Sequence, residues 1–131
     1  MANPYINIYK GTPKAGSING TAVSAGGDFS SPLIFKFNAG DVDSQTLTLA
    51  IRTQSGYATT GTTTISDNND TNDRLKFCWT ENGTFTDSIS TDESITNSNK
   101  IFYARATAGN DESPQVDRSI SLKLSCVIAV V

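Results

Sequence analysis

Apolar and polar side chains alternate along most of this sequence. YINIY (Tyr5 to Tyr9) begins the pattern. PLIFKFN sets Leu33, Phe35 and Phe37 on one side, and QTLTLAIRT sets Leu47, Leu49 and Ile51 against Thr46, Thr48 and Arg52. Successive side chains of a strand point to opposite faces, so a period of two predicts half-buried strands. GYATTGTTTI predicts one Thr-rich strand or two short ones. DRLKFCWT, TFTDSIS, KIFYARAT and RSISLKLSCVIAVV follow. Together they make about eight strands, many at the roughly 8–12-residue spacing of a sandwich or barrel. The last segment ends in CVIAVV, apolar on both faces. Such a strand is either covered within its own fold or presents an edge that pairs with a neighbouring subunit.

Turn residues separate these segments. Asn82-Gly83 falls between two of them and predicts a two-residue hairpin with a type I′ turn. Asn19-Gly20, Gly26-Gly27, Gly40-Asp41 and Ser55-Gly56 are further turn positions. No stretch carries a helical stripe. STDESI has Ser90 and Glu93 at the spacing of a capping box, but only Ile95 follows, which allows one turn at most. No linker or repeat divides the chain, so residues 1–131 read as a single domain. The expected fold is all-β: an antiparallel β-sandwich of immunoglobulin-like type, with a partly closed barrel as the alternative. The expected core comprises Leu33, Phe35, Phe37, Leu47, Leu49, Ile51, Leu75, Phe77, Trp79, Ile120, Leu122 and Leu124.

Alternation also bears on the two cysteines. In RLKFCWT the apolar face is Leu75, Phe77 and Trp79, so Cys78 points the other way, with Lys76 and Thr80. In SISLKLSCVI, Cys126 shares a face with Ile120, Leu122, Leu124 and Ile128. One thiol faces outward and the other inward, which disfavours a disulfide between the sheets. The tryptophan directly follows the first cysteine, where the immunoglobulin pattern would place it on the next strand. Two free thiols are the favoured reading, as in a reducing compartment.

Composition narrows the chemistry. A chain of 131 residues can bury roughly two-thirds of its unfolded surface without staples. Its net charge is −3, and its Lys and Arg are not clustered, which argues against a nucleic-acid partner. The N-terminus MANPYINIYKG lacks the basic and apolar regions of a signal peptide, and CVIAVV is too short to span a bilayer, so no membrane partner is expected. The sequons at Asn19, Asn69 and Asn82 are ordinary in a chain this rich in Asn and Thr. There is no histidine, which removes Ser-His-Asp triads, imidazole acid–base work and nearly all catalytic zinc sites. No phosphate-cradling glycine motif occurs. No enzymatic activity and no cofactor are expected.

Acidic and amide residues gather in SDNNDTNDR, with Asp67, Asn69, Asp70 and Asp73 as candidate calcium ligands. An EF-hand loop beginning at Asp67 would need Gly at its sixth position and Glu at its twelfth, where the sequence has Asn72 and Cys78. Asp67 to Asp70 matches the D-x-N-D of the cadherin calcium linker, but Thr71 follows in place of Asn. The simpler reading is a loop, because Asn and Asp favour turns for backbone reasons. A calcium-dependent adhesion or glycan-binding β-sandwich module is the alternative.

The opening MANPYINIYKGTPKAG and the run LTLAIRTQSGYATTGTTTISDNNDTNDRLKFCWTENGTF resemble small β-rich structural proteins encoded in the virion modules of tailed bacteriophages. That resemblance implies a β-sandwich without catalytic residues. Such a protein is made in the bacterial cytoplasm without a signal peptide and decorates a capsid or forms part of a tail. Its implied partners are other virion proteins, the major capsid protein or tail proteins, and copies of itself in an oligomer or lattice. The amphipathic ends of the chain are the candidate interface, at Tyr5, Ile6, Ile8, Tyr9, Val127, Ile128, Val130 and Val131. They could extend a neighbour's sheet through backbone hydrogen bonds.

Overall fold

A computed structural model describes residues 5–23, 43–68, 75–108 and 121–131. Within them the chain forms eight strands and no helix, all paired antiparallel in two sheets. The strands are β1 (Ile6–Lys10), β2 (Thr21–Ala22), β3 (Asp43–Thr53), β4 (Tyr57–Asn68), β5 (Leu75–Cys78), β6 (Ser88–Thr91), β7 (Lys100–Ala108) and β8 (Ser121–Val130). One sheet runs β2-β1-β3-β7-β5 and the other β6-β4-β8. From β4 onward each strand lies in the opposite sheet from the one before it. The chain thus stitches the two layers together, and their facing apolar rows bury one another.

Those rows are the ones the alternation predicts. Leu49, Ile51, Leu75 and Phe77 are buried, and Leu47, Trp79, Leu122 and Leu124 pack against them half-buried. Leu33, Phe35, Phe37 and Ile120 lie outside the described residues. The core also takes Ile6, Ile8, Ile65, Ile89, Ile95, Phe102, Ala104 and Ala106. Full burial of a side chain such as Leu49 or Phe102 stabilises by about 1.5–3 kcal/mol. Phe102 sits between Phe77 and Trp79, with ring centroids 6.4 and 6.2 Å away.

GYATTGTTTI forms a single strand. Between Thr60 and Thr64, β4 advances four positions while its partner β8 advances two, from Val127 to Ser125. Gly61 takes a left-handed φ of 69° in this bulge, a conformation glycine adopts without a Cβ clash. The excess of two preserves parity, so Thr59 and Ile65 on either side both stay inward.

Asn82-Gly83 does not make the predicted type I′ turn, which requires positive φ at both central residues. Neither has one. Gly83 instead closes a turn from Thr80, donating its N–H to the Thr80 carbonyl at 3.4 Å. Pairing resumes further out, where Phe77 and Thr86 exchange backbone hydrogen bonds of 2.7 and 2.9 Å. Packing decides against the tight turn. The loop folds back over the outer face of its sheet, and a Cβ on Gly83 would lie 2.6 Å from Cys78 Sγ and strike Thr80 Oγ1. Glycine is needed here for its size.

No helical turn forms in STDESI. Ser90 stays in β6, and Thr91 Oγ1 accepts from the Glu93 N–H at 3.1 Å. Ile95 is held in the core through Thr59. Its N–H donates to Thr59 Oγ1 at 2.7 Å and its carbonyl accepts from the Thr59 N–H at 3.0 Å. Both cysteines are free. Cys78 is buried on the outer face of the five-stranded sheet, and Cys126 faces the core from the three-stranded one.

Candidate functional site

The two ends of the described chain meet at one end of the sandwich. A tight turn carries β3 into β4, with Tyr57 donating its N–H to the Gln54 carbonyl at 3.2 Å. Gln54 in turn donates its N–H to the Tyr5 carbonyl at 2.8 Å, and the Tyr5 and Tyr57 rings meet edge to face at 4.9 Å. On the other side of Tyr57 lies its cross-strand partner Val130, and Val131 donates its N–H to the Gly56 carbonyl at 3.0 Å. Directly opposed residues of an antiparallel pair share a face. Tyr57 and Val130 therefore continue the inward row of β4 and β8 past the point where the opposite sheet covers it. Tyr5 is 45% exposed, and Val130 and Val131 are each 80% exposed. An apolar cluster that stays in water has a cost, and such clusters mark contact surfaces on soluble proteins.

The predicted interface residues divide accordingly. Tyr5, Val130 and Val131 belong to this cluster. Val127 is exposed on the outer face of β8, and Ile128 packs half-buried against the core. Ile6, Ile8 and Tyr9 are buried within the chain, and β1 pairs with β3 on one side and β2 on the other. The Ile6 and Ile8 side chains serve this fold's own core, and Tyr9 is buried apart from that cluster. The cation of Arg52 lies 3.6 Å over the Tyr9 ring, and Gln54 donates to the Tyr9 hydroxyl at 2.9 Å. Tyr57, which joins the two ends, was not singled out from the sequence. Its only signal was an aromatic residue beside the Ser55-Gly56 turn, and its role follows from pairing with a strand more than half the chain away.

Of the calcium candidates, Asp67 lies in β4, half-buried, while Asn69, Asp70 and Asp73 lie outside the described residues. Among the described residues no three of His, Cys, Asp and Glu gather as metal ligands.

A hollow of about 280 Å³ lies between the β6–β7 connection and the loop after β1, with its polar groups consumed internally. Lys100 pairs with Glu93 at 3.2 Å and Ser94 donates to the Thr59 carbonyl at 2.9 Å. Asn99, 4% exposed, shares its amide hydrogens among Lys14 O, Asn19 O and Asn19 Oδ1, each at 3.1 Å, and accepts from Arg52 at 2.8 Å. This set clamps the loop after β1 and leaves little to offer a ligand. Burial pushes the Cys126 thiol above its ordinary pKa, away from the thiolate form that a nucleophile needs. No known protein family, curated protein or solved structure matches the chain at a significant level.

Proposed function

We propose that this protein is a non-enzymatic structural component of a virion, an auxiliary or decoration protein on the capsid of a tailed phage. The observation that carries the reading is the exposed apolar end built from Tyr5, Tyr57, Val130 and Val131. It is a docking surface assembled from both ends of the described chain. The resemblance to phage virion proteins supplies the setting. The net charge of −3 suits an outer, solvated position more than one facing packaged DNA. We read the two antiparallel sheets as the layers of a β-sandwich; the change of sheet at each step after β3 departs from the immunoglobulin connectivity, in which consecutive strands D and E, and F and G, share a sheet. A patch of a few side chains binds weakly alone, but repetition over a lattice multiplies the contact through effective concentration.

The test uses purified particles. The protein is expected in them at a fixed stoichiometry by mass spectrometry, and the purified chain is expected to bind assembled shells lacking it. Removing Val127 to Val131 is a poor probe, because it deletes four cross-strand pairs with β4 and so attacks the fold. The double substitution Val130→Asp/Val131→Asp charges the patch and leaves the backbone pairing in place. It should weaken shell binding at least roughly tenfold with the melting temperature nearly unchanged. Absence of the intact protein from particles, or full binding by that variant, would overturn the reading.

A further inference from the structure

A second hollow, of about 290 Å³, lies on the outer face of the five-stranded sheet. Its floor is set by register. Thr46 is paired with Arg105 and Thr48 with Tyr103 across β3 and β7, so these four side chains share one face. The β5–β6 loop forms the wall, with Glu81 and Asn82. That wall is fixed by the Phe77–Thr86 bonds and by the contact of Gly83 on Cys78. The Arg105 guanidinium is fixed too. Its Nε donates to Thr46 Oγ1 at 3.0 Å, and its cation lies 3.9 Å over the Phe85 ring.

Apart from the Arg105–Thr46 bond, the polar groups lining this hollow are not used by the fold, unlike those of the first one. Among the described residues, no side-chain hydrogen bond or ion pair involves Thr48, Glu81, Asn82 or the Tyr103 hydroxyl, and no carboxylate pairs with Arg105. A cationic donor, an anionic acceptor, an amide and two hydroxyls thus surround a half-buried aromatic ring on a rigid floor. Opposite charges in one small space disfavour a strongly anionic ligand such as phosphate. They suit a neutral ring bearing several hydroxyls, because each hydroxyl both donates and accepts. The volume lies at the lower end of ligand pockets, enough for one small ring and not for a nucleotide.

We propose that this hollow binds a neutral pyranose, as a free sugar or the terminal unit of a glycan. Tyr103 supplies the apolar surface for the sugar's C–H face, and Glu81, Asn82 and Arg105 take its hydroxyls. The site needs neither calcium nor the apolar end of the molecule, so it stands or falls apart from the assembly reading.

The experiment is a titration of the isotope-labelled full chain by two-dimensional NMR with methyl α-glucoside, galactose and N-acetylglucosamine, with sodium phosphate in parallel. At least one sugar should give saturable shifts centred on Glu81, Asn82, Tyr103 and Arg105. The dissociation constant should lie in the millimolar range and be unchanged by EDTA. Glu81→Ala and Asn82→Ala, both exposed loop substitutions, should each weaken that binding by roughly tenfold and leave the rest of the spectrum in place. No saturable response to any of the sugars, a response centred elsewhere, unchanged binding in both variants, or a response to phosphate alone would overturn the proposal.

Discussion

Thr63 is fully buried beside the β4 bulge, and its hydroxyl has no hydrogen-bond partner. A buried polar group left unsatisfied costs about 1–3 kcal/mol, and valine has the same shape without the hydroxyl. Thr63→Val should therefore raise the urea midpoint, by about 1 kcal/mol in unfolding free energy, with an unchanged slope. Asn99 is the opposite case. Asn99→Ala removes the amide donor shared by Lys14 and Asn19 and one acceptor of Arg52, although the Lys14 carbonyl keeps the Ser17 N–H and the Asn19 carbonyl keeps Arg52. The expected loss is about 1–2 kcal/mol, with faster amide exchange at Gly16, whose N–H donates to the Asn99 carbonyl. Cys126 makes stability depend on pH. Its native pKa is raised by burial, so in alkali the unfolded chain releases this proton first and the native chain holds more protons. Stability should therefore fall as pH rises past the thiol's ordinary value of 9.0. Wild-type protein should lose stability more steeply than Cys126→Ala in urea titrations taken across that range, and parallel curves would refute the assignment.

At the scale of elements, strand existence was legible because each face reads a clean period of two. The opposed orientations of Cys78 and Cys126 followed from the same parity. Connections were not legible in the same way. Asn82-Gly83 carries a strong local turn signal, but the loop is governed by Cys78 beneath it, a contact no local pattern encodes. β4 was ambiguous because Gly61 looks equally like a strand break and a bulge until β8 is laid beside it. Ile95 entered the core without belonging to any strand, held by bonds to the Thr59 hydroxyl and N–H. A double-mutant cycle tests the loop's packing. Gly83→Ala should destabilise by about 1–3 kcal/mol through overpacking, and Cys78→Ala in the same chain should restore part of it by vacating the Sγ position. Additive losses would mean that the loop is held by something other than this contact.

For the whole molecule, the apolar character of both chain ends was visible in the sequence, but their separate fates were not. Ile6 and Ile8 are claimed by this chain's own core, whereas Val130 and Val131 run past the cover of the opposite sheet. Which residues of an amphipathic strand stay exposed depends on where its partner layer stops, and that is a property of the assembled sandwich. The polar hollow was invisible for the same reason. Thr46, Tyr103 and Arg105 read as ordinary outward positions until register sets them side by side and a loop walls them in.

The pairing of β4 with β8 also has a kinetic side. Tyr57 meets Val130, more than half the chain away, and this is the most extensive pairing of the three-stranded sheet. Closing so long a loop is entropically slow, because its cost falls due before any of the contacts form. Until β8 arrives, the long, threonine-rich β4 presents an unpaired edge that another copy's β4 could occupy. Refolding should therefore be slow. Its yield should fall as protein concentration rises, with the losses appearing as intermolecular β-structure that a brief excess of free β8 peptide would suppress.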